Sequence, residues 1–358
     1  MPLLTALLAC TPDPPEPAEP ADTAATAPTD PVTDTSTPAT TSPDTTPDDD
    51  LLTTCAAQLR VAHGTLCALQ PSVLDPAARD VAGTAPGDDA LGFGWHLVGI
   101  PDAPDPTADL WIHFVGTYAR PYDPRLAAAH SPAWLDDLLA TGATVVVPAY
   151  DNRRAVNDDC APGSPGYDHD DCAGEIREEV LTGADVSPYR DTPPADSVDQ
   201  RLAALLRHLA NHGAPLPDDL APEALDWSRL RVAGSSQGGN LAYYVAHERG
   251  VRFACLLSSP YDHADSVDPS FPAIADWFED GTPRTPPEQL GQLVATEDDS
   301  YDAFWLAGSL VLGLTEGVQA FRVTAAPYHD ETGAEIDAHP AVAADPALAP
   351  DRAAACLR

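Results

Sequence analysis

The protein has 358 residues and a formal net charge of −38, from 56 acidic residues against 18 basic ones, all of them arginine. Without a lysine it is not a P-loop protein, a Schiff-base enzyme or a Ser-Lys hydrolase. The acidity argues against nucleic acid as a partner, because that affinity rests on basic groups neutralising phosphates, and fits a solvated, soluble surface.

From the N-terminus onward, residues 1–10 read MPLLTALLAC, an apolar segment closed by a small residue and Cys10. Residues 11–50 are dominated by Pro, Thr, Ala and Asp and contain no Lys, Arg or aromatic residue. Such a segment buries too little apolar area to offset the entropy of ordering, so a disordered linker is expected. No later run approaches the roughly 18 apolar residues of a membrane-spanning helix.

From residue 51 to 358, short apolar runs alternate with amphipathic segments, the pattern of one α/β domain. Leu110 to Val115 is expected to be a strand stopped by Gly116, and Thr144 to Val147 another stopped by Pro148. Leu126 to Leu139 reads as a helix between them. Leu202, Leu205, Leu206 and Leu209 recur at helical spacing. A strand at Leu230 to Ala233, a helix at Gly239 to Glu248 stopped by Gly250, and a strand at Phe253 to Leu257 follow. The runs Leu290 to Ala295 and Val318 to Thr324 supply further strands, with a helix at Ala303 to Leu312 between them. There is no internal repeat, so the economical architecture is one mostly parallel twisted sheet flanked by helices. Phe271 to Gln289, with Trp277 and Phe278 among prolines, is expected to be a small cap insertion over the site.

Six cysteines follow Cys10, an even number that in an exported protein points to disulfides. Cys55 with Cys67 and Cys160 with Cys172 would each close a short loop. Cys255 lies in an apolar run that suits a buried thiol; Cys356 could pair with it or with Cys55 or Cys67. Zinc is not expected, since there is no C-x-x-C pair and no matched histidine spacing. The acidic run Asp158 to Cys172 lacks the ordered spacing and glycine of an EF-hand, so a solvated disulfide loop is expected there rather than a calcium site.

Gly234-Ser235-Ser236-Gln237-Gly238 is a G-x-S-x-G pattern with a strand expected before it and a helix after it. A sharp strand-to-helix turn holds its apex residue in a strained conformation and admits only very small neighbours two positions either side. With these residues the protein resembles the α/β-hydrolase superfamily, over residues 95 to 345 or so, and "GSSQGG" is similar to the nucleophile elbow of its esterases, lipases and peptidases. "AYDNRR", "PADSVDQRL" and "LDWSRLRVAGSSQGG" look like a group of secreted bacterial members. MPLLTALLAC likewise resembles the end of a bacterial lipoprotein signal peptide, in which Cys10 becomes the lipidated first residue.

The resemblance implies a nucleophile at Ser236 and, downstream, an acid and then a histidine. The loop Thr296-Glu297-Asp298-Asp299-Ser300-Tyr301-Asp302 resembles the acid loop and makes Asp299 the expected acid, with Asp298 and Asp302 as rivals; a placement after the preceding strand would make it Asp262. His339 is the expected base and His329 the alternative, His263 lying too early. Two backbone N–H donors are needed for the oxyanion: that of Gln237, and that of Thr117 in "HFVGTYARPYD", with Tyr118 second. The implied function is a serine hydrolase of a small-molecule or lipid carboxylic ester, needing no cofactor or metal, exported and either held to the bacterial cell envelope only through a lipid anchor or secreted. A serine peptidase and a non-catalytic binding protein of the same fold are the alternatives.

Overall fold

The computed structural model describes residues 51–80, 94–161, 163–167, 169–221, 225–262, 275–278 and 280–358. The leader, the linker, Cys10 and His263 therefore lie outside the described residues.

Nine strands form one sheet: β1 (Ala57–Arg60), β2 (Gly64–Leu69), β3 (His96–Pro101), β4 (Leu110–Phe114), β5 (Val145–Val147), β6 (Leu230–Ser235), β7 (Phe253–Leu257), β8 (Leu290–Ala295) and β9 (Ala320–Val323). Their spatial order is β1-β2-β3-β5-β4-β6-β7-β8-β9. The first three strands and β5 pair antiparallel in succession, and every pair from β5 to β9 is parallel. This mixed, mostly parallel sheet with flanking helices is the architecture expected from the sequence. Strands covered on both faces read as continuous apolar runs, and β4, β5, β7 and β8 are buried along their whole length. In the antiparallel entry only β1, AQLR at the edge of the sheet, mixes polar and apolar types with alternating exposure, whereas β2 and β3 are interior and buried at all but one position each.

Among the described residues the α-helices of five residues or more are α1 (Pro132–Leu139), α2 (Val156–Cys160), α3 (Cys172–Thr182), α4 (Val198–Asn211), α5 (Gln237–Glu248), α6 (Tyr301–Leu306), α7 (Ala338–Ala344) and α8 (Ala349–Cys356). In α4 the four leucines at helical spacing are fully buried, and the Ser197 hydroxyl caps the first turn by accepting from the Gln200 N–H. The expected helix from Leu126 is shorter, because Tyr122–Asp123 and Ala128–Ala129 pair as a small antiparallel ladder ahead of Pro132. After α6 the backbone widens into a π-helical stretch, Ala307–Val311. Of the expected cap, residues 271–274 and 279 lie outside the described residues. Trp277 and Phe278 are buried, packed at a tilt against Tyr243 of α5 rather than exposed over the site.

Three disulfides join Cys55 to Cys67, Cys160 to Cys172, and Cys255 to Cys356. The first two are the expected short loops. The third is one of the pairings the sequence leaves open for Cys356, in place of a free buried thiol at Cys255, and it ties α8 to β7 across a separation of 101 residues.

Candidate active site

Ser236 stands between the last residue of β6 and the first of α5, at φ 55° and ψ −127°. A residue other than glycine rarely adopts this backbone region, which persists only where the surroundings impose it. Here the Ser236 N–H donates to the Leu257 C=O at 2.9 Å, while the Ser236 C=O accepts from the N–H groups of Gly239 and Asn240. The flanking glycines are required by close approach. A Cβ on Gly234 would strike the carbonyl of Gly238, and one on Gly238 would strike that of Phe114. The turn is therefore packed so tightly against β4 that no larger residue fits two positions either side.

His339 lies in the first turn of α7, and its backbone C=O accepts from the Ser258 hydroxyl at 2.9 Å. Its Nδ1 is 2.7 Å from Oδ2 of Asp298. The other oxygen of that carboxylate accepts from the Ser300 N–H at 2.9 Å. Asp298 is thus held from both sides, with its carboxylate arm only 2 % exposed. A carboxylate on Nδ1 leaves Nε2 of the imidazole facing away from it, available to take a proton.

The carboxylate expected from the sequence, Asp299, does not make this contact; it is exposed, as is Asp302. The Asp298 N–H closes a turn on the Ala295 C=O directly after β8, and the Tyr301 N–H returns to the Asp298 C=O. That tight turn aims Asp298 inward and its neighbour outward. Asp262, the candidate after the preceding strand, is buried in an ion pair with Arg177, whose Nε and Nη2 reach its two oxygens at 3.0 and 2.7 Å. Asn240 Nδ2 adds a third bond to Asp262 at 2.9 Å. His329 has an exposed position in a two-residue ladder with Glu335. It takes no part in the site.

Thr117 lies beside the elbow, where its hydroxyl donates to Oε1 of Gln237 at 2.7 Å. A Cβ on neighbouring Gly116 would lie 3.3 Å from Cβ of Ser236. The Tyr118 N–H is committed to the Asn152 C=O at 2.9 Å. The N–H groups of Thr117 and Gln237 have no acceptor among the described residues. Ser236, Thr117, Gln237, His339, Arg177 and Asp262 line one cavity of about 280 Å³.

Three residues of this region carry no site signal of their own in the sequence: Arg177, and Tyr150 and Asn152, which lie within the "AYDNRR" segment that carries part of the resemblance; the Tyr150 hydroxyl donates to the Val115 C=O at 2.5 Å. Arg177 is 2 % exposed. In Glu175-Ile176-Arg177-Glu178-Glu179 the arginine reads as a solvated position of a charged helix, and its buried partner lies 85 residues away. In the acidic disulfide loop, Asp159 is taken by Arg154 and Arg190 at 2.6 and 2.9 Å. That carboxylate serves ion pairing within the protein.

No protein-family model matches this sequence, and no curated protein matches it. Among solved structures, an S-formylglutathione hydrolase from Agrobacterium tumefaciens aligns at 13 % identity over 83 % of this protein and 96 % of that one, with a TM-score of 0.44. Esterase B from Lactobacillus rhamnosis, inhibited by a tributyrin phosphonate, aligns at 15 % identity over 71 % of this protein and 78 % of that one, with a TM-score of 0.34. A thermostable esterase aligns at 13 % identity over 70 % of this protein, with a TM-score of 0.34, and the match spans 55 % of that esterase's length.

Proposed function

We propose that the protein is a serine hydrolase that cleaves a carboxylic ester through an acyl-enzyme on Ser236. The observation that carries the reading is the opening of a strained apex serine and a carboxylate-bound histidine onto one cavity. In this reading His339 Nε2 takes the Ser236 hydroxyl proton as Oγ attacks the ester carbonyl, then returns it to the leaving alcohol. Asp298 keeps the tautomer with the proton on Nδ1 and stabilises the imidazolium without itself being protonated. The N–H of Gln237, at the positive end of the α5 dipole, and the N–H of Thr117 receive the charge that develops on the carbonyl oxygen. Water then repeats the attack on the acyl-enzyme with His339 as base.

The test is labelling by a fluorophosphonate together with hydrolysis of aryl esters. The wild type is expected to do both and Ser236→Ala neither; persistent labelling of Ser236→Ala would remove the nucleophile assignment. Export is supported by the three disulfides, which persist in oxidising compartments. A lipid anchor rests on residues 1–10 alone, and its test is fatty-acid incorporation that disappears in Cys10→Ser. No helix of the described residues is long and apolar enough to cross a membrane.

A further inference from the structure

The loop that brings Thr117 to the elbow holds a shape its own sequence does not favour. The Ala119 N–H donates to the Gly116 C=O at 3.2 Å, so residues 116–119 form a β-turn. Its third residue is Tyr118, at φ 61°. A β-turn with positive φ at the third position calls for glycine or asparagine, and a tyrosine there must be held by something outside the turn. Nothing anchors Tyr118 through burial, since 47 % of its surface is exposed.

The holding group is Asn152, which follows β5 and is 1 % exposed. Its Nδ2 donates to the C=O of Gly116 at 2.5 Å and to that of Ala119 at 2.8 Å, the two ends of the turn. Its own backbone C=O accepts the Tyr118 N–H. Two carbonyls can only accept, so the group between them must be the amide NH₂, and a primary amide supplies two donors from one atom. The Asn152 N–H in turn bends back to the Tyr150 C=O at 2.9 Å, aiming the amide at the loop. Of the two central N–H groups of the turn, one is consumed by Asn152 and the other, on Thr117, is left over.

We propose that Asn152 is a positioning residue: it clamps both ends of the 116–119 turn and takes up the Tyr118 N–H, so that of the turn's two central N–H groups only that of Thr117 is presented to the oxyanion, beside the N–H of Gln237. The inference rests on the hydrolase function proposed for Ser236, and its test begins by checking that function separately. If the wild type hydrolyses an aryl ester and Ser236→Ala does not, the hydrolase function stands, and Asn152 is then tested by two variants. Asn152→Asp keeps the shape and replaces a double donor with acceptor oxygens; Asn152→Ala removes the clamp.

Losing one oxyanion donor lowers kcat by about 10²-fold or more, and this is the loss expected of both variants, with KM nearly unchanged. A trifluoromethyl ketone, whose adduct with the serine carries an oxyanion, is expected to lose affinity by the same factor as kcat. An ether analogue that cannot form the adduct is expected to keep its affinity. Near-UV circular dichroism gives the folded fraction by which each rate is divided. Rates per folded molecule and ketone affinities equal to wild type would overturn the proposal. So would loss of the folded state in both variants, because Asn152 would then be a requirement of the fold and not of one donor's position.

Discussion

Asp298 and His339, 41 residues apart in sequence, meet at 2.7 Å between a nearly inaccessible carboxylate and the Nδ1 of an imidazole whose side chain is partly exposed. In the proposed triad Asp298 orients the ring and stabilises its charged form, so Asp298→Asn is expected to lower kcat by about 10⁴-fold while the fold persists. Asp299→Asn is expected to keep near wild-type rates. Ester hydrolysis by the two variants, measured side by side, checks which carboxylate serves, and equal losses would remove the distinction.

Members of a catalytic unit are not additive. The double variant Asp298→Asn with His339→Ala is therefore expected to be barely slower than His339→Ala alone. A multiplied loss in steady-state kinetics would show the two acting separately.

The backbone at Ser236 costs about 1–3 kcal/mol in a conformation open to glycine. Ser236→Gly is expected to raise the thermal midpoint by a few degrees while abolishing ester hydrolysis. Calorimetry of this variant against Ser236→Ala, which keeps the strain, reads the difference; no gain over alanine would mean the apex is relaxed.

Arg177 and Asp262 form an ion pair in which both partners are almost fully buried. Removing one partner strands the other's charge, so Asp262→Asn is expected to cost about 3–5 kcal/mol, and replacement of both by apolar residues much less. Urea unfolding of the single and double variants checks the sign. A fully stable but inactive Asp262→Asn would instead return this residue to candidacy as the triad acid.

Burial raises Asp171 to about 6, offset in part by the Gly174 N–H and reinforced by the carboxylates of Asp280, Glu175 and Asp276. The folded protein then holds this proton more tightly than the unfolded one, so stability falls as pH rises from about 4 to about 6, and the penalty is complete above that. Asp171→Asn is expected to stabilise by about 1 kcal/mol at pH 7, allowing for partial exposure, and to give no gain below pH 4. Thermal melts at the two pH values decide; a gain that survives at pH 4 would point to the left-handed backbone of this helix cap, φ 53°, rather than to charge.

The sequence by itself determined the parts whose cause is local. Continuous apolar runs became the buried parallel strands β4, β5, β7 and β8, and the leucine spacing of α4 fixed its buried face, because a period along the sequence maps directly onto one face of an element. The elbow was legible for the same reason: Gly234 and Gly238 are answers to the tight turn around Ser236. What depended on distant partners was decided only in three dimensions. Three consecutive acidic residues, Glu297 to Asp299, look alike in one dimension, and a turn closed on Ala295 selects Asp298. Cys255 found Cys356, Asp262 found Arg177, and Asn152 found both ends of a turn over 30 residues earlier. None of these pairings leaves a trace in local spacing, since each depends on which element the folded sheet places next to which.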